Sequence, residues 1–230
     1  MEALPVEARP AATVMLIRDS GDGIEVLMVR RRNRGFFGGL TVFPGGAVDP
    51  VDDSDLAGEV VPGEHPDQTF RAAALRELAE ETGLALTVDG VVSAPEGRGE
   101  RLLSAMRGIQ IQLDASALTL VSRWVTPEDA PTRYDTRFYL ADAEDTPDIR
   151  LDRDELVEHT WITPGDALAI HADGELEMFL PTIAHLRWLD RRTTVSDALS
   201  AAEGAEGRSL VAPRRMEDGS FVPVHLPADA

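Results

Sequence analysis

A chain of 230 residues, 43% hydrophobic and 27% charged, has room for one well-buried domain with at most a modest appendage. A net charge of −19 argues against general affinity for nucleic acid or anionic membranes, and no apolar run approaches the roughly 20 residues that span a bilayer. With no cysteine and no lysine, disulfides, thiolate nucleophiles, Schiff-base lysines and the lysine of a P-loop are excluded; all 22 basic residues are arginine, which can grip phosphate bidentately. The opening residues lack the basic and apolar regions of a signal peptide, so the cytoplasm is the expected compartment.

In chain order, residues 11–18 and 24–30 are β-rich runs separated by the turn signal DSGDG, and LTVF at 40–43 suggests a third short strand that ends at Pro44-Gly45-Gly46. From Asp49 to Gln68 the chain is acidic, rich in proline and glycine and free of arginine, which predicts an exposed loop over 50–66. Residues 68–82 form the clearest helix, with Asp67 as N-cap, Phe70, Ala74 and Leu78 as apolar stripe and Gly83 at the end. Strands are expected at 86–93, 117–125, 134–141 and 156–162, with a helix at 99–108. A further helix starts at Thr163-Pro164, two more occupy 181–203 with a break near RRTT, and a small hairpin can form around EDGS, 217–220. Strands interleaved with helices imply a mixed α/β sandwich, read as one domain: a core over about 11–172, a helical extension over 173–203 and a tail from 204 to 230.

The helix carries RELAEETGL, residues 76–84, in which Glu77, Glu80 and Glu81 fall within an arc of about 100°. Like charges at helical neighbour spacing repel, so something must offset them. One reading is a solvated acidic face with Arg76 paired to Glu80. The other is a hard divalent cation, which takes several carboxylate oxygens from a small area. Gly45 and Gly46 would let a backbone segment come close to that face.

Arg76-Glu77-Leu78-x-Glu80-Glu81-x-Gly83-Leu84 resembles the second half of the Nudix box, G-x5-E-x7-R-E-U-x-E-E-x-G-U with U aliphatic, and FPGG at 43–46 resembles its usual lead-in. Arg76 lies 30 residues after Gly46 where the pattern has 14, so 16 residues are inserted. The box's first glutamate then falls on Asp52 counted forward from Gly46, or on Gln68 counted back from Arg76. With VRRRNRGFFGGLTVFPGG and RWVTPEDAPTRYDTRFYLA, the split box is similar to the Nudix branch that includes the peroxisomal coenzyme A diphosphatase, over about residues 11–190. No peroxisomal C-terminal tripeptide accompanies it.

The resemblance implies a Nudix-type α/β/α sandwich with a mixed sheet and additional C-terminal helices, and a hydrolase dependent on Mg2+ or Mn2+. Glu77, Glu80 and Glu81 are the expected metal ligands, with Glu80 and Glu81 also catalytic. Glu155 or Glu158 is either a further ligand or general base, Glu155 being the preferred of the two, or part of a surface strand. Gly45 and Gly46 border the substrate. Arg31, Arg32 and Arg34 either bind phosphate or form a solvated basic loop. Arg133 either meets a substrate phosphate or pairs with Asp135 or Asp154. Trp124, Trp161 and Trp188 are read as core and rim residues. The expected substrate is a nucleoside diphosphate linked to another group, coenzyme A or an acyl-coenzyme A first. The alternatives are ADP-ribose or NADH hydrolysis, and a nucleotide sensor that does not turn its ligand over. A homodimer is compatible with all three.

Overall fold

The computed structural model describes residues 6–34, 38–205, 210–215 and 221–222. Its main sheet is built from β1 (Arg9–Ser20), β2 (Gly23–Arg31), β3 (Thr41–Val42), β4 (Gly45–Ala47), β7 (Thr119–Val125), β8 (Tyr134–Asp142), β9 (Leu156–Ile162) and β10 (Leu210–Val211). The strand order is β10-β7-β8-β1-β2-β3, with β4 pairing to β1 and β9 pairing to β2. β1 and β2 form the expected hairpin in the register Ile17↔Val26, and β1 runs parallel to β8 from Arg9↔Tyr134 to Ile17↔Asp142. The sheet is therefore mixed.

Strand β1 is buried on both sides, which explains its nearly unbroken apolar run. Alternation along the strand divides it between two cores. Ala12, Val14 and Leu16 pack with Leu75 and Leu78 of helix α2 (Gln68–Thr82), and with Leu102, Leu103 and Met106 of α3 (Gly99–Gly108). Met15 and Ile17 pack on the other face with Ala167 of α4 (Pro164–Ala172), Leu186 and Leu189 of α5 (Leu180–Leu189), and Ala198 and Ala202 of α6 (Val195–Ala205). The result is the α/β/α sandwich, and the helices after residue 173 supply much of its second outer layer. Among the described residues no helix is long and apolar enough to cross a membrane.

Three expectations need correction. The 50–66 segment is not simply an exposed loop: a 3-10 turn at Pro50–Asp53 leads into α1 (Asp55–Val60), capped by Ser54. Its acidic composition hides the spacing of Leu56, Ala57, Val60 and Val61, an i, i+1, i+4, i+5 stripe that packs into the α2 core. Only the stretch around 62–66 stays largely exposed. The strand expected at 86–93 is a separate hairpin of β5 (Leu84–Thr87) and β6 (Gly90–Ser93), turning at Val88-Asp89, where Gly90 takes a φ of 109°. Asp67 does hold the N-cap position of α2, but it makes no side-chain cap. Its carboxylate instead accepts from Arg71 at 2.7 Å and from the Tyr139 hydroxyl at 2.6 Å. The C-terminal hairpin is present as paired β11 (Arg214–Arg215) and β12 (Phe221–Val222), while its EDGS turn lies outside the described residues.

Candidate active site

The site begins where β4 crosses α2. A Cβ added to Gly46 would lie 2.6 Å from the carboxyl carbon of Glu77, so only glycine leaves that carboxylate in place. Gly45 has a φ of 154°, and its backbone N–H donates to Glu81 Oε2 at 2.9 Å. The lead-in thus fixes two of the three carboxylates. Gly83 ends α2 in the left-handed conformation, φ 71°, as its position in the box suggests.

Arg76 is the buried hub. Its Nε and Nη2 donate to both oxygens of Asp52, at 2.7 and 2.9 Å, and Nη2 also reaches the Ala47 carbonyl at 3.1 Å. Nη1 donates to Glu77 at 2.8 Å and to Glu80 at 3.1 Å. Burial works against this charge, but Asp52, Glu77 and Glu80 together hold the guanidinium pKa above its ordinary value. Arg76 therefore orients Glu80, and it offsets the repulsion among the helix carboxylates.

Glu81 is the most confined of the three. Burial, helped by the nearby Glu77, pushes its pKa up to about 8 against the opposing pull of Arg31 and the Gly45 N–H. Burial likewise raises Glu77, with Arg76 opposing. Arg31 Nη1 stands 3.7 Å from Glu81 Oε1, too far for a hydrogen bond, and that buried oxygen has no hydrogen-bond partner. An unpartnered buried carboxylate oxygen is costly as it stands. Together with the all-oxygen donors of Glu77 and Glu80, it suits a hard divalent cation. Among the described residues no three carboxylate or imidazole groups already form an ion cage. Arg76 instead pairs with both Glu77 and Glu80, and Arg31 stands beside Glu81.

Glu77 and Glu80 open into a cavity of about 1260 Å3, whereas the buried Glu81 lies behind them and is not part of its lining. Glu77, Glu80, Arg31, Arg34, Arg98 and Glu155 line its charged part. Phe43, Trp124, Phe138, Met178 and Leu180 line an apolar part that belongs to the core on the opposite face of the sheet. Behind that apolar wall the fully buried His185 stacks on Phe138, ring centroids 4.3 Å apart. Its Nδ1 faces the Pro181 carbonyl at 2.7 Å, which can only accept, so Nδ1 carries the proton and Nε2 accepts from the Ser122 hydroxyl at 2.7 Å. Burial lowers its pKa to about 4 and keeps it neutral.

The remaining predicted residues separate clearly. Gly45, Gly46, Arg34 and Glu155 line the cavity. Arg32 is not among its lining residues; its Nε donates to the Arg153 carbonyl at 2.6 Å. Arg133 also lies outside the lining and is committed to the carbonyls of Thr126 and Val6. Asp135, its suggested ion-pair partner, is taken by Arg123. Glu158 pairs with Arg30 at the surface. Trp124 and Trp188 are core residues, and Trp161 is partly buried under Arg18. Asp52, Arg98 and Asp152 were not singled out by sequence as functional residues. Asp52 had a signal, its register from Gly46; Arg98 had only its setting between Gly97 and Gly99 in a loop.

The family model of the NUDIX domain matches residues 7–182, which takes in α2, the Gly45-Gly46 segment and Glu155. The chain belongs to the Nudix family. A solved Nudix hydrolase from Alicyclobacillus acidocaldarius superposes with a TM-score of 0.73 at 33% identity, covering 85% of this chain and 96% of that one. Nudix hydrolase 7 of Caenorhabditis elegans is 30% identical over 175 residues, 72% of this chain and 56% of its own length. Acyl-coenzyme A diphosphatase NUDT19 of Gallus gallus is 29% identical over 187 residues, 67% of this chain and 49% of its own. The chain thus spans about half the length of these two relatives.

Proposed function

We propose that this Nudix protein hydrolyses the diphosphate of coenzyme A or an acyl-coenzyme A, yielding 3′,5′-ADP and phosphopantetheine or its acyl form. The observation that carries the reading is one cavity in which carboxylates and arginines on α2 and β2 adjoin a long apolar wall. A nucleoside diphosphate alone has no use for such a wall. The volume also exceeds the roughly 300–1,000 Å3 of ordinary small-molecule pockets. The similarity to an acyl-coenzyme A diphosphatase supports the same choice.

Glu77, Glu80 and Glu81 would hold Mg2+ or Mn2+, the unpartnered Glu81 Oε1 being the donor in greatest need of a cation. The ion supplies charge neutralisation at the diphosphate and a lowered pKa for attacking water. Arg31 and Arg34 contribute guanidinium groups for the phosphate oxygens. Glu155, on the cavity wall, accepts the proton of the water that attacks phosphorus, while the phosphate of the second product leaves with the electrons of the broken P–O bond. Arg76 keeps Glu77 and Glu80 aligned throughout.

The test is turnover of coenzyme A, a long-chain acyl-coenzyme A, dephospho-coenzyme A, ADP-ribose and NADH with added metal, for the parent and for Glu80→Gln. The variant keeps its shape but loses one anionic ligand, and turnover should fall on the order of 100-fold or more with the fold intact. Retention within threefold would remove the metal assignment. Parent activity confined to ADP-ribose or NADH would transfer the site to dinucleotide hydrolysis. Tight nucleotide binding without turnover would make it a sensor.

A further inference from the structure

The turn from Asp152 to Glu155 is tied to the carboxylate helix. The Asp152 N–H donates to the Glu81 carbonyl at 3.0 Å, and two residues earlier the Arg150 N–H donates to the Thr82 carbonyl at 2.8 Å. Arg98, just before α3, closes onto this turn. Its Nε donates to Asp152 Oδ2 at 2.7 Å, Nη2 meets the same carboxylate, and Nη1 donates to Glu155 Oε1 at 2.5 Å. The other Glu155 oxygen accepts from Arg31 at 3.2 Å. The next N–H along the chain, Gly99, donates to Glu80 Oε1 at 2.7 Å. One dipeptide, Arg98-Gly99, therefore touches both Glu155 and Glu80.

Glu155 needs such support. Its side chain is 36% exposed and has three rotatable bonds, so nothing in packing alone fixes it. We propose that Asp152 and Arg98 form a positioning pair for Glu155: Asp152 anchors the guanidinium, which fixes the orientation of the Glu155 carboxylate toward the cavity before substrate enters. Asp152 is the positioning residue proper, because it is absent from the cavity lining whereas Arg98 and Glu155 belong to it. Displacement of a reacting group by about 1 Å can cost on the order of 100-fold in rate, so a fixed carboxylate has value without any new contact to substrate. The inference rests on the reading of Glu155 as the group that takes the water's proton.

Asp152→Asn tests it. The side-chain oxygen that accepts from the Asp154 N–H at 2.8 Å can be kept by the amide, so the turn survives. The amide NH2 then replaces the oxygen facing Arg98 and turns the guanidinium away. With the metal-loaded enzyme and coenzyme A as substrate, kcat should fall about tenfold with KM within about twofold, since only the transition state uses the lost alignment. The melting temperature should move by less than about 3 °C, as for other partly exposed substitutions. In the Glu155→Gln background, Asp152→Asn should add no further loss, because residues that act through one another are non-additive. Where Asp152→Asn proves unstable, Arg98→Gln takes its place under the same non-additivity requirement. Parent-like kcat in Asp152→Asn, multiplying losses in the double variant, or a raised KM with kcat unchanged would each overturn the proposal. Parent-like turnover of Glu155→Gln would overturn it together with the role of Glu155. The metal assignment, which Glu80→Gln tests separately, would be untouched by that result.

Discussion

Replacing Asp52 by alanine should damage the fold far more than its place in an acidic, proline-rich segment suggests. The carboxylate is fully buried at the side chain, accepts two hydrogen bonds from Arg76 and one from the Asp49 N–H at 2.8 Å, and faces a guanidinium that is itself only 4% exposed. Breaking a buried ion pair from one side costs about 3–5 kcal/mol, because the remaining charge stays buried without its partner. Arg76 still has Glu77 and Glu80 on Nη1 and the Ala47 carbonyl on Nη2, which places the expected loss at the lower end, about 3 kcal/mol. In a chain of this size that corresponds to a fall in Tm of roughly 6–12 °C. Thermal and urea unfolding of Asp52→Ala should be compared with Asp53→Ala, whose exposed carboxylate accepts from Thr69 at 3.0 Å and whose loss should change stability by less than about 0.5 kcal/mol. Equal stability of the two variants would refute the reasoning and return the 50–66 segment to the status of a loop.

Gly46→Ala places its Cβ against the movable end of Glu77, so it should keep Tm within a few degrees, roughly, while turnover drops at least tenfold. Gly45→Ala meets the Ala12 carbonyl oxygen at 2.4 Å in a backbone conformation with φ 154° and should lose the fold instead; the reverse ordering in paired melting and turnover assays would show the packing to be misread. His185 has its folded pKa depressed to about 4 from 6.5, so the unfolded chain binds that proton first and the stability present above pH 6.5 is lost as pH falls toward 4, by about 3 kcal/mol. Urea unfolding across that window should show a pH dependence smaller by this amount in His185→Asn than in the parent, and identical slopes would exclude a neutral buried imidazole.

What sequence made legible follows from range. Helix α2 was readable because its signals are local: an apolar stripe at helical spacing, and a glycine where the backbone must turn left-handed. The approach of Gly46 to Glu77 and of Gly45 to Glu81 was readable for the same reason, since fixed spacings on one helix and one lead-in carry it. The second tier of the site was not. Arg98 meets Asp152 and Glu155 across 54 and 57 residues, and no periodicity links such positions. Arg32 and Arg34 were indistinguishable as letters in a basic run, yet one is spent on a backbone carbonyl and the other lines the cavity.

The 50–66 segment combines both kinds of failure. Its charge and proline content outweighed an apolar stripe that was present all along, at Leu56, Ala57, Val60 and Val61. Register counted forward from Gly46 reaches Asp52, and Asp52 is the carboxylate that Arg76 holds in the folded chain. Gln68, reached by counting back, instead donates to the Val61 carbonyl at 2.7 Å and ties the end of α1 to the start of α2. Asp52 reaches Arg76, and through Arg76 it reaches Glu77 and Glu80.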